Sequence, residues 1–129
     1  MKNIEFVEAF KQRTKTFALR TIKLFHSLPK TDEARIIGKQ LLRSSTSVAA
    51  NYRAACRARS EAEFHSKISI VVEEADESAF WMELIIEADI MKKERVDSLL
   101  KEANEILAVM SKARSTTSKK IYSKKKVAD

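Results

Sequence analysis

Glycine, proline and cysteine are almost missing from this sequence: 129 residues hold one of each. Gly38 and Pro29 alone nearly exclude a turn-rich all-β fold or an α/β fold cornered on glycines. The single Cys56 excludes an intramolecular disulfide and a cysteine-cluster metal site, and a reducing cytosol is the expected compartment. No apolar run approaches the roughly 18 residues that a membrane helix needs, so no membrane partner is expected. Met1–Phe10 is too charged for a signal peptide. What remains is 44% hydrophobic and 33% charged, a composition of helical globular proteins.

The net charge of +7 is unevenly distributed. Residues 1–59 carry 13 Lys/Arg against 4 Asp/Glu, residues 60–110 carry 5 against 13, and residues 111–129 carry 7 against 1. A basic first half followed by an acidic second half predicts internal pairing or two faces of opposite sign.

Helical periodicity runs through nearly the whole chain. Phe6, Phe10, Phe17, Thr21, Leu24 and Leu28 form one stripe over Asn3–Ser27, ended by Pro29. Thr31 or Asp32 caps a second helix with Ala34, Ile37, Leu41, Ser44, Val48, Tyr52 and Ala55 inward, out to Ala58. Ser60-Glu61-Ala62-Glu63 is a capping box that opens a third, with Phe64, Ile68, Val72, Ala75, Ala79, Met82 and Ile86 on one face out to Asp89. A break at Met91–Glu94, without glycine or proline, precedes a fourth helix carrying Val96, Leu99, Ala103, Ile106 and Met110. Short connections predict an all-α, antiparallel up-down-up-down four-helix bundle over residues 1–114. Residues 115–129, with Lys119, Lys120, Lys124, Lys125 and Lys126, show no core pattern and read as a flexible basic tail.

Two helices carry structured outer faces. On the third, Ile70, Trp81, Leu84 and Ala88 lie about 120–180° from Ala75, with Glu77 among them and Phe80 on the flank. As a set they are candidates for a subunit interface, because an isolated bundle would leave them in water. On the second, Lys39, Arg43, Arg53 and Arg57 stand in one line, with Thr46 and Ala50 between them. Two readings stay open for this line, a stripe that follows phosphates or a solvated face whose cations pair with acidic residues. No aromatic residue accompanies it, so stacking of single-stranded bases is not indicated.

Catalytic signals are weak. Glu73, Glu74, Asp76 and Glu77 are dense, but His26 and His65 do not follow a glutamate by three, as a di-iron bundle requires. Cys56 has no sequence-adjacent histidine, and Gly38 is not part of a phosphate loop. No enzyme activity, metal or cofactor is expected.

The stretch Gly38–Asn51, then Arg59-Ser60 and Glu63-Phe64, resembles a bacterial four-helix bundle family encoded within intervening sequences of large-subunit rRNA genes and often labelled ribosomal. The runs Asn51–Arg59, Glu73–Ser78 and Trp81–Leu84 resemble one branch of it, and the likeness covers Phe17–Ala113. Arg43, Ser47 and Asn51 fall on the family's polar residues of the second helix and Glu77 on its third-helix glutamate. Ala49 stands where many members have proline, and Arg53-Ala54-Ala55 where they have Ala-Glu-Gly. Lys93 replaces the usual polar cap before the fourth helix. The resemblance implies a homo-oligomeric ring, commonly a pentamer. It also implies, from a related branch that serves diversity-generating retroelements, binding of RNA or DNA and of a protein such as a reverse transcriptase. The alternative is a pure protein-interaction scaffold whose basic stripe forms salt bridges between subunits. Ser47, Asn51 and Glu77 are expected to be buried and hydrogen-bonded, with Arg43 as the cation for Glu77.

Overall fold

A computed structural model describes residues 3–128. It holds four helices: α1 (Ile4–Ser27), α2 (Asp32–Cys56), α3 (Glu61–Glu87) and α4 (Lys93–Ala128). Each of the first three starts on a side chain that takes up a free amide of the first turn. Asn3 Oδ1 accepts from Phe6 N at 3.1 Å, Thr31 Oγ1 from Ala34 N at 3.3 Å, and Ser60 Oγ from Glu63 N at 3.0 Å. Glu63 reaches back one residue beyond the expected capping box, accepting from Arg59 N at 2.8 Å.

The connections obey the same local rules. Leu28, before Pro29, leaves the helical region at ψ 148. Between α3 and α4, where no glycine is available, Asp89 adopts φ 56. Asp89 N then donates to Ile86 O at 3.1 Å and Ile90 N to Ile85 O at 3.0 Å, the paired bonds of a Schellman ending. Aspartate is among the few residues that visit this left-handed region.

The helices pack as an antiparallel bundle in the order α1, α2, α3, α4 around the core, so that α1 and α3 face each other across the diagonal. The closest pair is α2 with α3, and the loosest is α1 with α4. Small residues allow the close approach. Ser44 and Ser78 are buried and their hydroxyls meet at 2.9 Å. Gly38 lets the end of α1 settle on α2, since a Cβ there would fall 2.7 Å from Leu28 Cδ1. Phe17, Leu41, Ile68, Met82 and Ile106 are fully enclosed, each worth about 1.5–3 kcal/mol of burial. The α1–α4 seam is held by Arg13, which donates to Glu102 at 2.7 and 2.8 Å and to Glu105 at 2.7 Å. Among the described residues no helix is long and apolar enough to cross a membrane.

Three expectations need correction. Phe6, placed on the inward stripe, is half exposed and stacks on Phe10 with ring centroids 5.5 Å apart. The third-helix stripe omitted Val71, Ser78 and Ile85, which are buried because α3 is covered by both α2 and α4. Residues 115–128 do not break away from the bundle: α4 continues through them as helix. Thr117 is buried, and its Oγ1 lies 2.7 Å from His65 Nδ1, while Lys124 Nζ donates to Glu61 Oε1 at 2.6 Å. A stretch without apolar periodicity is thus tied to α3 by polar contacts.

Candidate nucleic-acid interface

The line of cations on α2 is divided by its neighbours. Lys39, Arg43, Arg53 and Arg57 are all exposed. Arg43 leans toward α3, where Nη2 donates to Glu77 Oε1 at 2.6 Å and the guanidinium spans both Glu74 oxygens at 3.3 Å. These bonds, first to Glu74 and then to Glu77, raise its pKa above the ordinary value for arginine. Glu77 Oε1 also accepts from Trp81 Nε1 at 3.2 Å. The pairing expected between Arg43 and Glu77 is present, but it is a surface network rather than a buried one, since the Arg43 side chain is 53% exposed. Asn51 Nδ2 donates to Ser47 O at 3.0 Å and to Ser47 Oγ at 2.9 Å, a bond within the helix at half-buried positions.

Arg53 and Arg57 lean the other way, toward α1. They line a groove of about 310 Å³ together with Lys11, Lys15, Gln12 and Glu8. Lys11 pairs with Glu8 at 3.1 Å, which leaves Arg53, Arg57 and Lys15 without an ion pair among the described residues. The same end of the bundle receives the C-terminal part of α4, where Lys119, Lys120, Lys125 and Lys126 are exposed and Lys124 is held by Glu61. The C-terminal half of the line and the tail, separate in sequence, converge on one end of the molecule. Lys39 lies elsewhere, in a hollow with Pro29, Lys30 and Arg35 near the α1–α2 turn.

Lys11 and Lys15 were not among the expected site residues. Their positions on α1 follow from how that helix is rotated against α2, and no local signal carries that.

Behind the basic groove lies an apolar cavity of about 270 Å³, walled by Phe6, Tyr52, Phe64, Ile68 and Met110, with Lys120 on its lining. Cys56 is half buried on its lining and packs against the core. Burial raises the Tyr52 phenol above its ordinary 10.0, and contact with Cys56 adds to this.

The outer face of α3 is partly covered by its own subunit. Ile70, Trp81 and Leu84 are half buried within their own subunit, Trp81 packing against the core, while Ala88 and Phe80 are exposed. Phe80 and Trp81 meet edge to face with centroids 5.0 Å apart. Helix α3 carries eight acidic residues against one lysine, whereas α1, across the diagonal, carries five Lys/Arg against two glutamates. The bundle is electrically polarised from α1 to α3. Among the described residues no three His, Cys, Asp or Glu side chains are grouped so as to hold a metal ion.

Residues 9–112 match the family model of the 23S rRNA-intervening sequence protein. The chain belongs to that family. The crystal structure of a protein of unknown function from the S23 ribosomal protein family of Bacteroides thetaiotaomicron is similar, with 31% identity and a TM-score of 0.78 over 84% of this chain and 97% of that one. No curated protein matches. The four-helix architecture agrees with that of the solved S23-family protein, and the family description specifies no reaction.

Proposed function

We propose that this protein is a non-enzymatic helical scaffold that assembles into a closed ring and binds RNA or DNA through phosphates, without reading bases. The observation that carries the binding half is the α1–α2 groove, in which Lys15, Arg53 and Arg57 converge unpaired beside Lys11. Unneutralised cations held on two rigid helices repel one another, and a polyanion relieves that repulsion while releasing its counterions. The lysines of α4 at the same end add contacts that sum by multivalency. The ring half of the proposal, with five subunits as the resemblance implies, is supported by the α1–α3 polarity. Like faces of such a bundle repel, so contact between unlike faces is favoured, and head-to-tail contacts of this kind generate rings when the rotation closes.

The test is fluorescence anisotropy of mixed-sequence RNA and duplex DNA on the full chain, with light scattering to record the assembly. Affinity should be indifferent to sequence and fall steeply with salt, with a logarithmic slope of about −0.9 per phosphate contacted on duplex DNA. An intact ring that binds neither nucleic acid at low salt removes the binding half, and a monomer at micromolar concentration removes the ring.

A second reading has an observation of its own. Glu73, Asp76 and Glu83 on α3 are exposed and free of ion pairs among the described residues, so a neighbour's basic groove could dock there. In that case Arg53→Glu with Arg57→Glu dissociates the ring.

A further inference from the structure

The loose α1–α4 seam opens, near the α1–α2 turn, into a groove of about 310 Å³. Its walls are two short helical repeats facing each other. From α1 come Arg20, Lys23 and Ser27, and from α4 come Arg95 and Ser98. Spacings of three and four place each set on one helix face. The buried side chains of Leu24 and Leu99 form the floor. Every charged residue of the lining is a cation. Of the two carboxylates next to the lining in sequence, Asp97 is held by Lys93 at 2.5 Å on the preceding turn, and Glu94 is exposed and outside the lining. Arg20 is half buried, and its Nη2 donates to Ser98 Oγ at 2.8 Å, which fixes the guanidinium against the far wall.

The lining differs from that of the α1–α2 groove, which includes the carboxylate of Glu8. Here three positive side chains and two hydroxyls line one open groove whose own lining holds no carboxylate. An arginine with its fork pre-set, two flanking cations and serine donors suit a compact oxyanion of charge −2 better than a single backbone diester. The volume exceeds that of a phosphoryl group, and the leucine floor can receive the carbon skeleton attached to it.

We propose that the α1–α4 groove binds a phosphomonoester dianion, the terminal phosphate of either a free nucleotide or a nucleic-acid strand end. The proposal stands apart from the α1–α2 groove and holds whether or not that groove binds nucleic acid. Arg20 supplies the oriented fork, Lys23 and Arg95 neutralise the remaining charge, and Ser98, whose Oγ accepts from Arg20, donates its own hydrogen to an oxygen; Ser27 Oγ, which donates to Lys23 O at 3.3 Å, turns to do the same.

The experiment is an amide-resolved titration of the full chain with inorganic phosphate and with adenosine monophosphate. Saturable shifts confined to residues 20–27 and 95–99 are expected, weakening as pH falls below about 6, where the dianion protonates. Arg20→Gln with Arg95→Gln should weaken binding on the order of tenfold, and Arg53→Gln with Arg57→Gln should leave it unchanged. Two further probes separate the sources. A short oligonucleotide that gains affinity from a 5′-phosphate beyond the mononucleotide points to a strand end, and equal affinities point to a free nucleotide. Shifts that do not saturate, or that persist in the Arg20→Gln, Arg95→Gln variant, overturn the site. Loss of binding in the Arg53→Gln, Arg57→Gln variant also overturns it, because the phosphate would then be held by the other groove.

Discussion

Arg43 and Arg53 stand on one helix, ten residues apart, and the fold treats them in opposite ways. Arg43 meets two carboxylates of α3. Arg53 meets Lys11, Lys15 and Arg57 around a groove with a single glutamate. A rotation of about 80° about the helix axis separates the two, and the acidic helix lies on one side of α2 and the basic helix on the other. A line of like charges on a helical wheel is therefore not one functional object. Its meaning is set by which neighbour each residue leans toward, and here the C-terminal half faces the basic groove.

The strongest way to break that comparison is charge reversal at the unpaired end. Arg53→Glu with Arg57→Glu should lower nucleic-acid affinity at low salt on the order of tenfold or more and flatten the salt slope by about 1.8, the loss of two phosphate contacts. Anisotropy measures both. Replacing Lys119, Lys120, Lys125 and Lys126 by glutamine should produce a smaller loss with the same sign.

The paired cations should report in stability instead. Arg13 bridges two carboxylates across the loosest seam with a side chain that is 34% exposed. Arg13→Ala should cost about 1–2 kcal/mol, below the full value of a charged hydrogen-bonded pair because water screens it. Arg43→Ala, at a more exposed site, should cost about 0.5–1 kcal/mol. Urea unfolding of the two variants gives the order directly, and a larger loss at Arg43 would contradict it.

Tyr52 sharpens the comparison at the same end of α2. Its pKa is raised in the folded state, so its contribution to stability is complete below the unfolded value of 10.0 and is lost as pH rises beyond it. The loss amounts to at most about 1.4 kcal/mol per pH unit while only the unfolded chain is ionised. In Tyr52→Phe this part of the alkaline decline should disappear, seen as a smaller drop in the urea midpoint above about pH 10. The smallest effect is expected away from the site, at the α3–α4 turn. Asp89→Gly should stabilise by about 0.5–1 kcal/mol, because glycine takes positive φ without a Cβ clash.

The helices were legible because their punctuation is local. Asn3, Pro29, Thr31 and Ser60 act within one turn of where they stand, and the observed starts and stops fall within two residues of the expected ones for α1 to α3. The Arg43–Glu77 pair was legible through the family pattern. Three features were not. The width of the buried face on α3 depends on its being covered by two helices, so reading one row of side chains missed Val71 and Ile85. The continuation of α4 rests on a histidine and a threonine 52 positions apart, which no periodicity announces. The basic groove depends on Lys11 and Lys15, and their part in it is fixed only when α1 docks on α2.

The most direct measurement is the salt slope of nucleic-acid binding for Arg43→Gln and Arg53→Gln side by side, each checked by light scattering for an unchanged assembly. The account predicts that Arg43→Gln keeps the parental slope and that Arg53→Gln flattens it by about 0.9. Equal flattening in both variants, or none in either, would contradict it.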